Sequence, residues 1–75
     1  MDAARHPAPE IWIDLVFAAM AVKRGGVIRR SVSLVEREIG RDRFVAEVQE
    51  RNFHLLECGG QFVVVCNRNP IRMIL

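Results

Sequence analysis

Two adjacent glycines constrain this chain more than any other residues. Gly59-Gly60 separates FHLLEC from QFVVVCN, and each glycine can adopt the positive φ that a two-residue hairpin turn demands. A turn there sets Cys58 opposite Gln61, Leu56 opposite Val63 and Phe53 opposite Cys66. Side chains alternate along a strand, so Phe53, Leu55, Phe62, Val64 and Cys66 share one face, the natural core face. His54, Leu56, Cys58, Val63 and Val65 share the other. That second face is also largely apolar, whereas a hairpin with one wet face alternates more cleanly. It therefore calls for a cover: the tail Pro70–Leu75, another strand, or a partner.

Ahead of the hairpin, Ser33-Leu-Val-Glu36 matches a capping box and opens a helix with Leu34, Val35 and Ile39 on its buried side. Gly40 is a natural left-handed stop, and Asp42 is the next N-cap. The helix RFVAEVQER follows, with Phe44, Val45 and Val48 inward and Asn52 ending it. Ile39-Gly40-Arg41-Asp42 is then a short glycine-containing turn between two helices, as a helix-turn-helix requires.

Further upstream, Pro9 and Glu10 suit the first turn of a helix. IWIDLVFAAMAVKR reads as one helix, apolar on nearly every face except at Asp14, which places it centrally in the domain. Trp12 and Phe17 are its core anchors, and Gly25-Gly26 stops it. Val27-Ile28 is too short to assign alone. Residues 1–9 hold two prolines and no periodicity, which predicts a flexible arm, and residues 10–75 form one domain.

At 75 residues the chain is near the lower limit for a single unstapled core. Its apolar fraction of 51% and charged fraction of 27% suit a folded domain. Two cysteines make no disulfide framework and no signal peptide opens the chain, so an intracellular rather than secreted setting is expected. The longest apolar run, Ile11–Val22, is 12 residues and carries Asp14, short of the roughly 20 that span a bilayer. The apolar Met73-Ile74-Leu75 is odd for a free end and suggests a domain of a longer protein.

Net charge is only +2, but it is unevenly spread. Residues 23–43 carry Lys23, Arg24, Arg29, Arg30, Arg37, Arg41 and Arg43 against three carboxylates, for +4. Such a block is the footprint of nucleic-acid contact or a solvated face. The third helix offers Arg43, Ala46, Glu47, Gln49, Glu50 and Arg51 as exposed positions. Two glutamates there would face phosphates, which argues against base reading and leaves phosphate contact to the basic block.

His54, Cys58 and Cys66 are the soft ligands near the hairpin, with the cysteines on opposite faces, so no zinc site or disulfide is expected. No nucleophile elbow or phosphate-cradling loop appears. The glutamates at 36, 38, 47 and 50 read as members of solvated ion pairs. No catalytic residue, metal, cofactor or small-molecule substrate is implied, and an enzyme is not expected.

The order helix, stub, helix, turn, helix, hairpin over residues 10–67 resembles the winged helix-turn-helix superfamily. The fold expected is α+β, three helices followed by a β-hairpin wing. In that superfamily a strand stub often falls where Val27-Ile28 lies and joins the wing's sheet. The double glycine after the first helix, LVEREIG and LLECGGQFVVV are similar to LOTUS (OST-HTH) domains, whose members bind RNA or a DEAD-box helicase. The glycine-rich approach to the third helix typical of that family is absent, and no binding residue carries over.

Two functions follow as expectations. One is an RNA- or DNA-binding module gripping backbone phosphates through the seven cations at 23, 24, 29, 30, 37, 41 and 43. The other is a protein-interaction or dimerisation module using Leu56, Val63, Val65, Ile71 and Ile74.

Overall fold

The computed structural model describes residues 8–75. Of the arm expected over residues 1–9, residues 1–7 lie outside the described residues, and Pro9 is already in the first helix. Four helices and three strands follow in order: α1 (Pro9–Phe17), α2 (Met20–Lys23), β1 (Val27–Ser31), α3 (Val32–Glu38), α4 (Arg41–Glu50), β2 (His54–Cys58) and β3 (Gln61–Val65). The strands form one antiparallel sheet in the order β1-β3-β2.

The hairpin has the register that Gly59-Gly60 demands, with Cys58 opposite Gln61 and Leu56 opposite Val63. Both glycines adopt positive φ, 58° and 75°. The paired ladder ends at His54 opposite Val65, so Phe53 and Cys66 lie just beyond it. Val27-Ile28 is no mere stub. It begins a full strand whose five residues pair with β3, from Val27 opposite Val65 to Ser31 opposite Gln61.

Three expectations are corrected. The first helix is two helices, broken at Ala18-Ala19, where Ala19 turns extended (ψ 147°). A single apolar rod would leave whole faces uncovered in so small a domain. The break lets Ile13 and Val16 of α1 bury while Ala21 and Val22 of α2 pack against the same core. Secondly, α3 is capped by Ser31 and not by Ser33: the Ser31 hydroxyl accepts a hydrogen bond from the Leu34 amide at 3.1 Å. Ser31 is also the last residue of β1, so strand pairing fixes it where the helix must start, and Ser33 is left exposed. Thirdly, Gly40 and not Asp42 caps α4, with φ 86°. Asp42 lies inside the first turn, where a carboxylate still complements the helix dipole.

Phe44 is the centre of the core. Its ring lies 5.3 Å from that of Phe62, 6.4 Å from Phe17 and 6.5 Å from Trp12. Ile13, Val16, Ile28, Val35, Val48, Val64 and Cys66 complete the buried set. Val45, expected inward, is exposed, because a ten-residue helix on a single core presents one i, i+4 stripe and Phe44 with Val48 occupies it. Asn52 ends α4 in the left-handed region (φ 61°), as its place in the sequence predicts.

The two serines provide a test. Ser31→Ala should lower stability by about 1 kcal/mol in urea denaturation, while Ser33→Ala should change it by less than about half that. Equal losses, or the larger loss at Ser33, would contradict the observed cap.

Candidate interaction surface

Strand alternation and the two registers define the sheet's outer face, which points away from the helices. Its rows are Val27, Val65 and His54; Arg29, Val63 and Leu56; and Ser31, Gln61 and Cys58. The inner face carries Ile28, Val64 and Leu55, then Arg30, Phe62 and Glu57. Burial agrees, since Ile28, Phe62 and Val64 are buried while Val27 is 50% and Leu56 39% exposed. No carboxylate stands in any outer row. The outer face is thus an apolar strip, Val27, Val65, Val63 and Leu56, with Arg29 on one edge and His54 at a corner.

The tail does not cover this strip. His54 Nε2–H donates to the Asn69 carbonyl at 2.6 Å, which ties the start of the tail to one corner of the sheet. Beyond it Ile71, Met73, Ile74 and Leu75 are exposed, with Ile74 at 78%. Of the residues expected to form a protein interface, Leu56, Val63 and Val65 share the outer face, whereas Ile71 and Ile74 are exposed in a tail without helix or strand.

The seven cations of the basic block do not act as one surface. Arg29 and Arg30 are neighbours in β1 and so point to opposite faces. The Arg30 Nη1 donates to the Arg29 carbonyl at 2.6 Å. Arg41 is held by Glu57 at 2.6 Å and lies 5.1 Å over the Phe62 ring. That hydrogen bond and charge hold its guanidinium protonated above the ordinary range. Arg43 reaches Glu10 at 3.5 Å and Glu47 at 3.4 Å, and Arg37 reaches Glu38 at 3.5 Å. Lys23, Arg24, Arg29 and Arg30 form no ion pair among the described residues. Lys23 and Arg24 precede the turn in which the Gly26 carbonyl accepts from the Cys66 amide at 2.8 Å. They therefore stand at the end of the sheet beside the row of Val27.

On α4, Arg43, Glu47 and Arg51 are half-buried rather than exposed as expected. Arg51 lies 4.0 Å over the Phe17 ring and reaches Glu47 at 2.8 Å, so this side of the helix is turned toward α1. The solvent side carries Asp42, Val45, Ala46, Gln49 and Glu50 beside Arg41, a poor match for phosphates. Between α4 and β2 an open groove of about 730 Å³ is lined by Val45, Val48, Gln49, Phe53, Leu55 and Arg68.

Cys58 is exposed on the outer face and Cys66 is buried, where loss of solvent pushes its thiol pKa up. Among the described residues, no three His, Cys, Asp or Glu side chains cluster to hold a metal ion. No helix there is long and apolar enough to cross a membrane. No family model, curated protein or solved structure matches the chain.

The Glu47 carboxylate sits below the ordinary value of 4.5, chiefly because Arg51 hydrogen-bonds it, with Arg43 adding to the effect and burial opposing it. A depressed folded pKa gives stability that is complete above the unfolded value and lost as pH falls through the folded one. Glu47→Gln should therefore lower the urea midpoint at neutral pH and flatten its fall between about pH 5 and pH 3. A variant with the wild-type pH profile would show that the Arg43–Glu47–Arg51 ladder contributes nothing.

Proposed function

We propose that the chain is a winged-helix-like docking module whose working surface is the outer face of the sheet, where it receives a protein partner. The arrangement of β1 returning to β3 beside a helix pair supports the winged-helix reading. The observation that carries the functional reading is the apolar strip of Val27, Val63, Val65 and Leu56, with Val27 and Leu56 exposed, Val63 and Val65 half-buried, and no carboxylate beside them. Apolar side chains so placed gain from burial at about 25 cal/mol per Å² removed from water. Fold alone does not choose between protein and nucleic acid, so the choice rests on this surface.

The solvent side of α4 supports the same choice. Asp42 and Glu50 stand where a duplex reader would present cations. Peptides selected from a displayed random library against the wild-type chain should bind Val63→Lys and Leu56→Lys at least about tenfold more weakly, a loss of about 1.4 kcal/mol. Selected peptides that bind both variants as well as wild type would refute the outer face as the working surface.

A second reading, phosphate-backbone binding to RNA or DNA, is favoured by one observation. Lys23, Arg24, Arg29 and Arg30 carry no carboxylate partner among the described residues, unlike Arg37, Arg41 and Arg43. Four phosphate contacts would give a slope in log K against log salt of about −3.6 on duplex DNA and about −2.8 on a single strand. Fluorescence polarisation against single- and double-stranded oligonucleotides should find only weak binding if docking of protein is the function. Tight, steeply salt-dependent binding lost in the Arg29→Glu/Arg30→Glu double variant would instead establish the second reading.

A further inference from the structure

Resting on the outer face as a docking surface, we infer that its partner is an acidic amphipathic helix: an apolar stripe flanked by carboxylates. The inference comes from charge complementarity. The nine outer positions include Arg29 and His54 but no Asp or Glu. Lys23 and Arg24, without ion pairs among the described residues, stand at the end of the same sheet. The carboxylates of β2 and α4 nearest the sheet are occupied elsewhere, Glu57 by Arg41 on the inner face and Glu47 by Arg51 against α1. A cover that pairs with Arg29 must bring its own negative charge, since the outer face supplies none.

That requirement weighs against a second copy of this chain. Two outer faces packed together would meet valine to valine, but each Arg29 would find no carboxylate among the nine outer positions across the interface. Nucleic acid fails on different grounds. The one ring on the outer face, His54, is tied to the Asn69 carbonyl at a corner, and phosphates would be set over valines.

Dimensions favour a helix over an added strand. The four apolar residues lie in two adjacent rows with His54 and Arg29 at opposite corners, and the three strands they cross measure about 10 Å, the diameter of one helix with side chains. The diagonal from Val27 to Leu56 runs about 12 Å, about two helical turns. A helix laid there would set leucines or isoleucines at i, i+3 or i+4, and i+7 on Val27, Val63, Val65 and Leu56. Its flanking carboxylates would reach Arg29 on one side and the Lys23–Arg24 end of the sheet.

The test uses two synthetic fluorescein-labelled peptides of about 15 residues, long enough for helix to form on the surface. Both have leucines at helical spacing; one carries glutamates at every flanking position and its twin carries lysines. The glutamate peptide should bind at least about tenfold tighter than the lysine twin in fluorescence polarisation, and added salt should narrow the gap. Arg29→Glu should remove about fivefold or more of that preference, while Val63→Lys and Leu56→Lys should each weaken binding about tenfold. Circular dichroism confirms that each variant is folded, and the exposed Leu56 serves if Val63→Lys is not. If both peptides bind alike yet Val63→Lys or Leu56→Lys weakens both, the acidic partner is wrong and the docking face stands. If folded variants bind the glutamate peptide like wild type, the docking face itself is wrong. An unlabelled single-stranded oligonucleotide that displaces the glutamate peptide at lower concentration than the unlabelled peptide would overturn the inference in favour of nucleic acid.

Discussion

The core of this domain is organised around the ring of Phe44. Its ring sits between Phe62 of β3 and the Trp12 and Phe17 rings of α1, so one side chain of α4 joins the sheet to the N-terminal helices. A chain of 75 residues has a total stability of order 5–10 kcal/mol, and truncating a buried phenylalanine to alanine removes about 3–5 kcal/mol. A single ring therefore holds a large share of the fold. Because α4 is committed to the core through Phe44 and Val48, and to α1 through Arg43, Glu47 and Arg51, its solvent side is left with Arg41, Asp42, Val45, Ala46, Gln49 and Glu50, a surface without a cationic excess.

The same economy explains the sheet. The inner face takes the core, with Ile28, Phe62 and Val64 beneath Phe44's helix, and this leaves the outer rows with no element of the described chain to pack on. An apolar strip in that position is either a liability or a surface for a partner. It carries no carboxylate, and Arg29 on it and Lys23 and Arg24 at its end form no ion pair among the described residues, which is the basis of the proposed acidic partner.

The hairpin was legible because two constraints agreed: a Gly-Gly turn that fixes register, and a period-two pattern that assigns faces from that register. The break in the first helix was not legible. Ala18-Ala19 are good helix formers, and only the need to cover both Val16 and Val22 ends the helix there. The capping box with Glu36 favours Ser33 as the cap, and only the pairing of β1 with β3 makes Ser31 the residue that begins the helix. The basic block was visible as a run of residues, but its division was not. Arg41 finds Glu57 16 residues away and Arg43 finds Glu10 33 residues away, contacts that only the folded chain creates. The alternation of β1, which sends Arg29 and Arg30 to opposite faces, followed only once Val27–Ser31 was known to be a strand.

The central claim is that recognition belongs to the sheet's outer face and not to α4. The most direct measurement is a ¹⁵N–¹H correlation spectrum of the chain titrated with the glutamate-flanked peptide. Shift changes should concentrate at 27–31, 54–58 and 61–65, with 41–50 nearly still. Changes concentrated in Arg41–Glu50, with β1 and β3 unmoved, would contradict the account.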